Sequence, residues 1–94
     1  MFNINKGKNE TIYLSGIFDS SCVDQAVEVF NSVTSSCTVD CSDLEYISSA
    51  GLGILVAAYK RIAGQGGKIR LMNVRENVKK IFLLVRFDKF FEMQ

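Results

Sequence analysis

The stretch TVDCSDLEYISSAGLGILVAAYK, from Thr38 to Lys60, decides the fold because two kinds of apolar spacing meet in it. From residue 37 to residue 41, apolar and polar residues alternate, which is typical of a strand with one buried face. The polar residues 42–46 predict a break. After Ser48–Gly51 the apolar spacing becomes that of a helix. That predicted stripe consists of Leu52, Leu55, Val56, Tyr59 and Ile62.

Two adjacent serines, Ser48 and Ser49, lie where the predicted strand gives way to the predicted helix. A helix N-terminus leaves backbone N–H groups unpaired and carries partial positive charge, so it favours an anion. A serine hydroxyl at this position can cap the helix, or it can be phosphorylated and so become the anion itself.

The composition indicates one globular domain spanning residues 1–94, with 48% hydrophobic and 22% charged residues. The net charge is +1 and no basic block is visible, so nucleic acid is not an expected partner. The longest apolar run, Gly51–Tyr59, is about half as long as a membrane span, and the N-terminus has no signal-peptide pattern. We therefore expect a cytoplasmic protein with no membrane insertion.

The three cysteines are expected to be buried and reduced. Cys37 and Cys41 would be about 13 Å apart along a strand, whereas a disulfide requires Cα atoms within roughly 7 Å. The chain contains no histidine to complete a metal site. No metal and no cofactor are predicted.

The N-terminal segments predict a hairpin followed by a helix. Residues 2–5 and 11–15 alternate as two antiparallel strands, and residues 15–19 close the second strand. Asp19, Ser20 or Ser21 is expected to cap the first helix. The buried face of that helix is predicted to consist of Val23, Ala26, Val27, Phe30 and Val33.

The C-terminal half predicts two further helices with a strand between them. The second helix should span residues 49–63 and end at the glycines of segment 64–67. A strand over 68–73 leads to a third helix, which Asn73 and Glu76 would open as a loose capping box. The inward stripe of that helix is predicted from Val74, Val78, Ile81, Phe82 and Val85. A short last strand would follow.

The order β-β-α-β-α-β-α-β predicts an α/β fold with a mixed, mostly parallel β-sheet. Apolar and polar residues alternate along the strands, which are therefore not apolar throughout. We expect the helices to pack on one face of the sheet and the other face to be open to solvent.

The residue types argue against a serine hydrolase and give only a weak signal for nucleotide binding. Without histidine, a Ser-His-acid triad cannot form from this chain. Gly51 and Gly53 could begin a dinucleotide fingerprint, but Val56 replaces its third glycine. The glycines would equally allow the helix to approach a neighbouring strand closely. We predict a protein that is not an enzyme. Nucleotide binding is retained as a hypothesis, ranked below the two functions given at the end of this section.

The outer face of the second helix predicts a docking surface. Gly53, Ile54 and Ala57 are apolar, and this side becomes charged only at Lys60 and Arg61. Such a face is either covered within its own domain or used to bind a partner, and we favour the partner.

Residues 40–55, DCSDLEYISSAGLGIL, resemble the STAS domain family and, within it, the bacterial anti-sigma factor antagonists. The family pattern is D/N-L-S-x-L-x-Φ-Φ-D/S-S-S/A-G-L-G-x-L. Segments SGIFD (15–19), GGK (66–68) and VKKIF (78–82) are similar to further family features, so the likeness extends from about residue 11 to residue 91.

The resemblance implies partner switching. The unphosphorylated antagonist would bind an anti-sigma factor that is a serine kinase, phosphorylation would release it, and a serine phosphatase would restore it. Ser49 matches the phosphorylated serine, and Ser48, where many members have Asp, is a rival site. The implied partner-binding residues are Asp19, Ser48, Ser49, Gly51, Gly53, Ile54 and Ala57.

The alternative is a STAS scaffold subunit that is not phosphorylated, for example in a bacterial lipid-transport complex, with Ser49 acting only as a helix cap. In either case Phe87, Phe90 and Phe91 are expected to have less to pack against than in longer family members, and a homodimer or another partner could cover them.

Overall fold

A computed structural model describes residues 2–93 of the chain. Five strands and three helices follow one another in the predicted order. The strands are β1 (Asn3–Lys6), β2 (Thr11–Phe18), β3 (Cys37–Ile47), β4 (Ile69–Met72) and β5 (Glu92–Met93). The helices are α1 (Val23–Asn31), α2 (Ser49–Gly64) and α3 (Glu76–Leu84), with short 3-10 turns at Ser20–Cys22 and Phe87–Lys89.

The strands lie in one sheet in the order β1-β2-β3-β4-β5. β1 is antiparallel to β2, and the other neighbours are parallel. Consecutive parallel strands joined by crossovers of one hand place all three helices on the same face. Tyr13, Ile17 and Tyr46 remain exposed on the opposite face. The prediction of a mixed α/β sheet is confirmed.

β3 is longer than predicted, because it continues through residues 42–46 to the start of α2. Relative to β2 it carries one extra residue between Asp40 and Asp43 and another between Leu44 and Tyr46. Such bulges re-aim the following side chains without ending the strand. The buried positions then fall three residues apart, at Cys41, Leu44 and Ile47. The predicted break was therefore wrong: the polar residues occupy a bulged strand.

The ends of other elements also differ from expectation. β2 continues past Ser15 to Phe18. α3 begins at Glu76 without a side-chain capping bond in the described structure, so the capping box from Asn73 was wrong. The Asn73 side-chain amide instead donates to Asp40 Oδ2 at 3.2 Å.

The end of α2 confirms the prediction that the glycines of segment 64–67 terminate this helix. Gly66 has a φ of 84°, and its N–H donates to the carbonyl of Ala63 while the N–H of Gly67 donates to the carbonyl of Ile62. This pair of bonds is the Schellman motif, which satisfies the last carbonyls of a helix.

Two of the C-terminal aromatic residues are part of the core. Phe87 and Phe91 are buried, with ring centroids 4.7 Å apart, and Phe87 stacks on Phe82 at 5.2 Å. The expectation that these phenylalanines have less to pack against was therefore wrong for Phe87 and Phe91. Phe90 alone of the three is exposed, at 53%. None of the helices within residues 2–93 is long and apolar enough to cross a membrane.

The cysteine prediction is confirmed, since all three are buried, free thiols in the described part of the chain. Burial raises the pKa of Cys37 to about 11 and that of Cys41 to about 12. Both thiols are therefore protonated at neutral pH and hidden from solvent.

We expect iodoacetamide at pH 8 to label Cys37 and Cys41 far more slowly in the folded protein than in urea, because the thiolate is the reactive form. Unfolded thiols titrate near ~8.5. Since folding raises the pKa of both thiols, their contribution to stability is complete below the unfolded pKa and declines as the pH rises through about 11 for Cys37 and about 12 for Cys41. Mass spectrometry of timed aliquots measures the labelling, and equal rates in folded and unfolded protein would contradict the burial.

Candidate functional site

The start of α2 is fixed to the ends of two strands. Phe18 and Ile47, the last residues of β2 and β3, are partners in the sheet. The N–H of Ser48 donates to the carbonyl of Phe18 at 2.9 Å. Ser48 is extended and occupies the N-cap position, and its carbonyl accepts the N–H of Leu52 at 2.9 Å. The serine pair thus has a defined position at the C-terminal edge of the sheet.

The two glycines of this turn have different roles. A Cβ on Gly51 would lie 2.7 Å from Ile47 Cγ1 and 2.9 Å from the carbonyl oxygen of Phe18. Only glycine permits that approach, as one of our interpretations predicted. A Cβ on Gly53 would have no atom of the described chain within 4 Å. Packing explains Gly51 without a nucleotide, and Gly53 lies on open surface.

The two serines differ in accessibility. Ser49 is exposed and is the first residue of α2. The Ser48 hydroxyl oxygen is buried and has no hydrogen-bond partner among residues 2–93. The helix-cap role expected for Ser49 in the scaffold alternative was wrong, because Ser48 occupies the cap position, and the Ser48 side chain makes no capping bond there. Of the two hydroxyl groups, the Ser49 hydroxyl is the one that an external protein can reach.

We expect Ser48→Ala to keep or raise the free energy of unfolding, by up to about 1 kcal/mol, because a buried polar group without a partner is costly. A working serine cap would give the opposite sign, a loss of about 1 kcal/mol. Urea denaturation of the variant beside the parent protein measures the sign. A clear loss of stability would show that the Ser48 hydroxyl makes a hydrogen bond in solution.

Asp19 lies directly after Phe18, at the same edge of the sheet as the serines. Its Oδ1 accepts the hydroxyl of Ser21 at 2.6 Å and the N–H of Ser21 at 2.9 Å. These two hydrogen bonds hold the pKa of the Asp19 carboxyl below its usual value, and the bond from the Ser21 hydroxyl has the larger effect. Asp19 caps the 3-10 turn, whereas α1 itself begins after Cys22. The loop therefore presents a carboxylate at neutral pH.

An apolar groove of about 370 Å³ lies between α1 and α2. The α2 wall contains the predicted Gly53, Ile54 and Ala57, and Ala50 beside Ser49. The α1 wall was not predicted. It is formed by Val23, Val27 and Phe30. Val27 was expected in the core but is 38% exposed, because it faces this groove. The sequence signal for this wall was the apolar stripe of α1, which includes Val23, Val27 and Phe30.

Arg61 joins the two helices at the far end of the groove. Its guanidinium donates to the carbonyl of Val33 at 2.7 Å and to that of Phe30 at 2.5 Å. A cation beside the last carbonyls of a helix is favourable. These two hydrogen bonds therefore connect the walls of the groove at this end.

Comparison with known proteins identifies the fold family. A sequence-family model described as "Mlab, STAS domain" matches residues 4–93. The chain belongs to the STAS domain family. The resemblance predicted from residues 40–55 is thereby confirmed.

Relatives of this STAS domain include anti-sigma factor antagonists. The anti-sigma-B factor antagonist of Bacillus subtilis (strain 168) is 38% identical over 40 residues, which is 43% of this chain and 37% of that protein. An anti-sigma factor antagonist from Mycobacterium paratuberculosis has a TM-score of 0.81 at 20% identity, covering 99% of this chain and 83% of that one. The phosphorylated form of the Bacillus cell fate determinant SpoIIAA has a TM-score of 0.71 at 18% identity, covering 100% and 91%. At these identities the structures show the shared fold.

Proposed function

We propose that this STAS domain is an anti-sigma factor antagonist that binds an anti-sigma factor when Ser49 is unphosphorylated and is released when Ser49 is phosphorylated. The exposed position of Ser49 beside the α1–α2 groove carries the proposal, because a rival hydroxyl one residue away is buried. The similarity to the Bacillus subtilis anti-sigma-B factor antagonist supports it. The anti-sigma factor would itself be the serine kinase, and a serine phosphatase would reverse the modification.

Phosphorylation would act on the interface and leave the fold intact. A phosphoserine carries about −1.5 to −2 charges at neutral pH, and the N-terminus of α2 stabilises negative charge. A partner seated in the groove would cover that charge with apolar surface, and burying an unpaired charge is unfavourable. The domain therefore accommodates the phosphate, whereas the complex does not.

The chain in this proposal is a substrate and binding module, not an enzyme, and it acts in the cytoplasm without cofactor, metal or nucleic acid. Asp19, Gly51, Gly53, Ile54 and Ala57 belong to the proposed contact region together with Ser49. Gly51 contributes by fixing the position of the turn, since its own surface is occupied by Ile47 and Phe18.

Incubation with the anti-sigma factor kinase and ATP, followed by mass spectrometry, tests the proposal. We expect one phosphate on Ser49, no modification of Ser49→Ala, and normal modification of Ser48→Ala. A phosphate confined to Ser48 would move the site to a hydroxyl that the fold buries. Absence of any phosphate on the parent protein would contradict the proposed switch.

A second candidate is the unphosphorylated STAS scaffold subunit, which Ser48 favours, because many phosphorylated members of the family have Asp at that position. In that function the groove would hold its partner constantly, and Ser49 would carry no regulatory modification. Ser49→Asp would then assemble with the partner as the parent protein does.

A further inference from the structure

A second surface of the molecule is apolar and exposed, and it lies on α3 and the turn that follows. Half of the large apolar side chains that are exposed in residues 2–93 fall between residues 83 and 90. Leu84 is 80% exposed, the highest value among them. We call this surface the α3 patch; its apolar members are Leu83, Leu84 and Val85, and its basic members are Lys79, Lys80, Arg86 and Lys89.

The core does not account for the apolar members of the α3 patch. α3 buries Val78 and Phe82 against the sheet, and Leu84 lies outside that stripe. Arg86, with a φ of 64°, turns the chain so that Phe87 enters the core, while Phe90 lies beside Tyr59 of α2, with ring centroids 5.6 Å apart. A large apolar surface of this kind marks a site of interaction.

The charge of the α3 patch restricts its occupant. Residues 79–90 contain four basic side chains and one acidic side chain, whereas the rest of the sequence contains seven basic and nine acidic. A second copy docked by a twofold axis would bring the same basic groups together, which is unfavourable. The occupant is therefore expected to be anionic.

We propose that the α3 patch docks the protein on the surface of an anionic lipid bilayer. Leu83 and Leu84 would enter the interfacial layer, while the lysine and arginine side chains extend their charged ends to the lipid phosphates. The protrusion of Leu84 suits a flat, deformable surface, whereas a protein partner would need a matching pocket. Peripheral docking requires no spanning helix.

The α3 patch is separate from the groove proposed for the anti-sigma factor. The groove is lined by residues of α1 and α2, and the α3 patch by residues of α3 and the following turn. Membrane docking therefore neither requires nor excludes the proposed phosphorylation of Ser49.

Co-sedimentation of the 94-residue protein with vesicles tests the proposal. Vesicles of phosphatidylcholine with one third phosphatidylglycerol should retain the protein at low salt, and vesicles of pure phosphatidylcholine should retain much less. Replacing Lys79 and Lys80 together by Gln should weaken binding to the anionic vesicles roughly tenfold to thirtyfold, since each basic group near such a surface contributes separately. Leu84→Ser should weaken it as well.

Matched variants outside the α3 patch control for charge and apolarity. Lys8→Gln combined with Lys60→Gln removes the same charge, and Ile17→Ser removes an exposed aliphatic side chain from the open face of the sheet. Both should bind as the parent protein does, with circular dichroism confirming that every variant is folded. Failure of the parent protein to bind anionic vesicles would overturn the proposal in favour of a protein occupant. Equal losses in patch and control variants, or a dimer in sedimentation equilibrium that Leu84→Ser dissociates, would also overturn it.

Discussion

Gly51→Ala is expected to lower the free energy of unfolding by about 2 kcal/mol, within the range typical of overpacking. The added methyl group would collide with the Ile47 side chain and the carbonyl oxygen of Phe18. That oxygen cannot simply move aside, because it accepts the N–H of Ser48. The clash would push the first turn of α2 away from the strands. Urea denaturation monitored by circular dichroism measures the loss.

Gly53→Ala provides the matched control, since it makes the same substitution two residues further along the same helix. Its methyl group would meet none of the described atoms within 4 Å, and alanine favours a helix over glycine by about 1 kcal/mol. Gly53→Ala should therefore be neutral or stabilising. Equal destabilisation by both substitutions would contradict the close approach at Gly51.

Ser49→Asp should weaken binding to the anti-sigma factor by roughly thirtyfold or more, corresponding to about 2 kcal/mol or above, because a buried, unpaired charge at an interface is costly. Ser49→Ala should bind at least as tightly as the parent protein and should not be released by kinase and ATP. Titration calorimetry with the isolated anti-sigma factor measures the affinities. Thermal midpoints of both variants should remain near that of the parent protein, since Ser49 is exposed.

Ser35→Asp is the control for the added charge. Ser35 is exposed in the loop between α1 and β3, at the edge of the sheet opposite the serine pair. The Ser35→Asp variant should bind the anti-sigma factor with the affinity of the parent protein. If Ser49→Asp binds as tightly as Ser35→Asp, the serine does not control docking and the scaffold function is favoured.

Local patterns predicted much of this fold because each element carries its own signal. The bounds of α2 followed from its spacing and its terminal glycines, and the position of the serine pair followed from those bounds. The bulges of β3 could not be predicted, because an extra residue is defined only against a pairing partner. The same polar residues are compatible with a loop or with a bulged strand.

The sequence also predicted only part of the candidate site, because the environment of some side chains depends on contacts between different elements. Gly53, Ile54 and Ala57 were found from one helix alone, but the α1 wall of the groove depends on how two helices meet. Val27 was placed in the core for that reason. The buried oxygen of Ser48 also depends on neighbours distant in sequence, which neither periodicity nor motif reveals.

The most direct measurement compares the dissociation constants of the unmodified protein and of protein phosphorylated at Ser49, both titrated into the same anti-sigma factor. Our account predicts tight binding by the unmodified form, binding at least roughly thirtyfold weaker by the phosphorylated form, and similar thermal midpoints for the two. Equal dissociation constants would contradict the claim that the hydroxyl at the start of α2 controls docking.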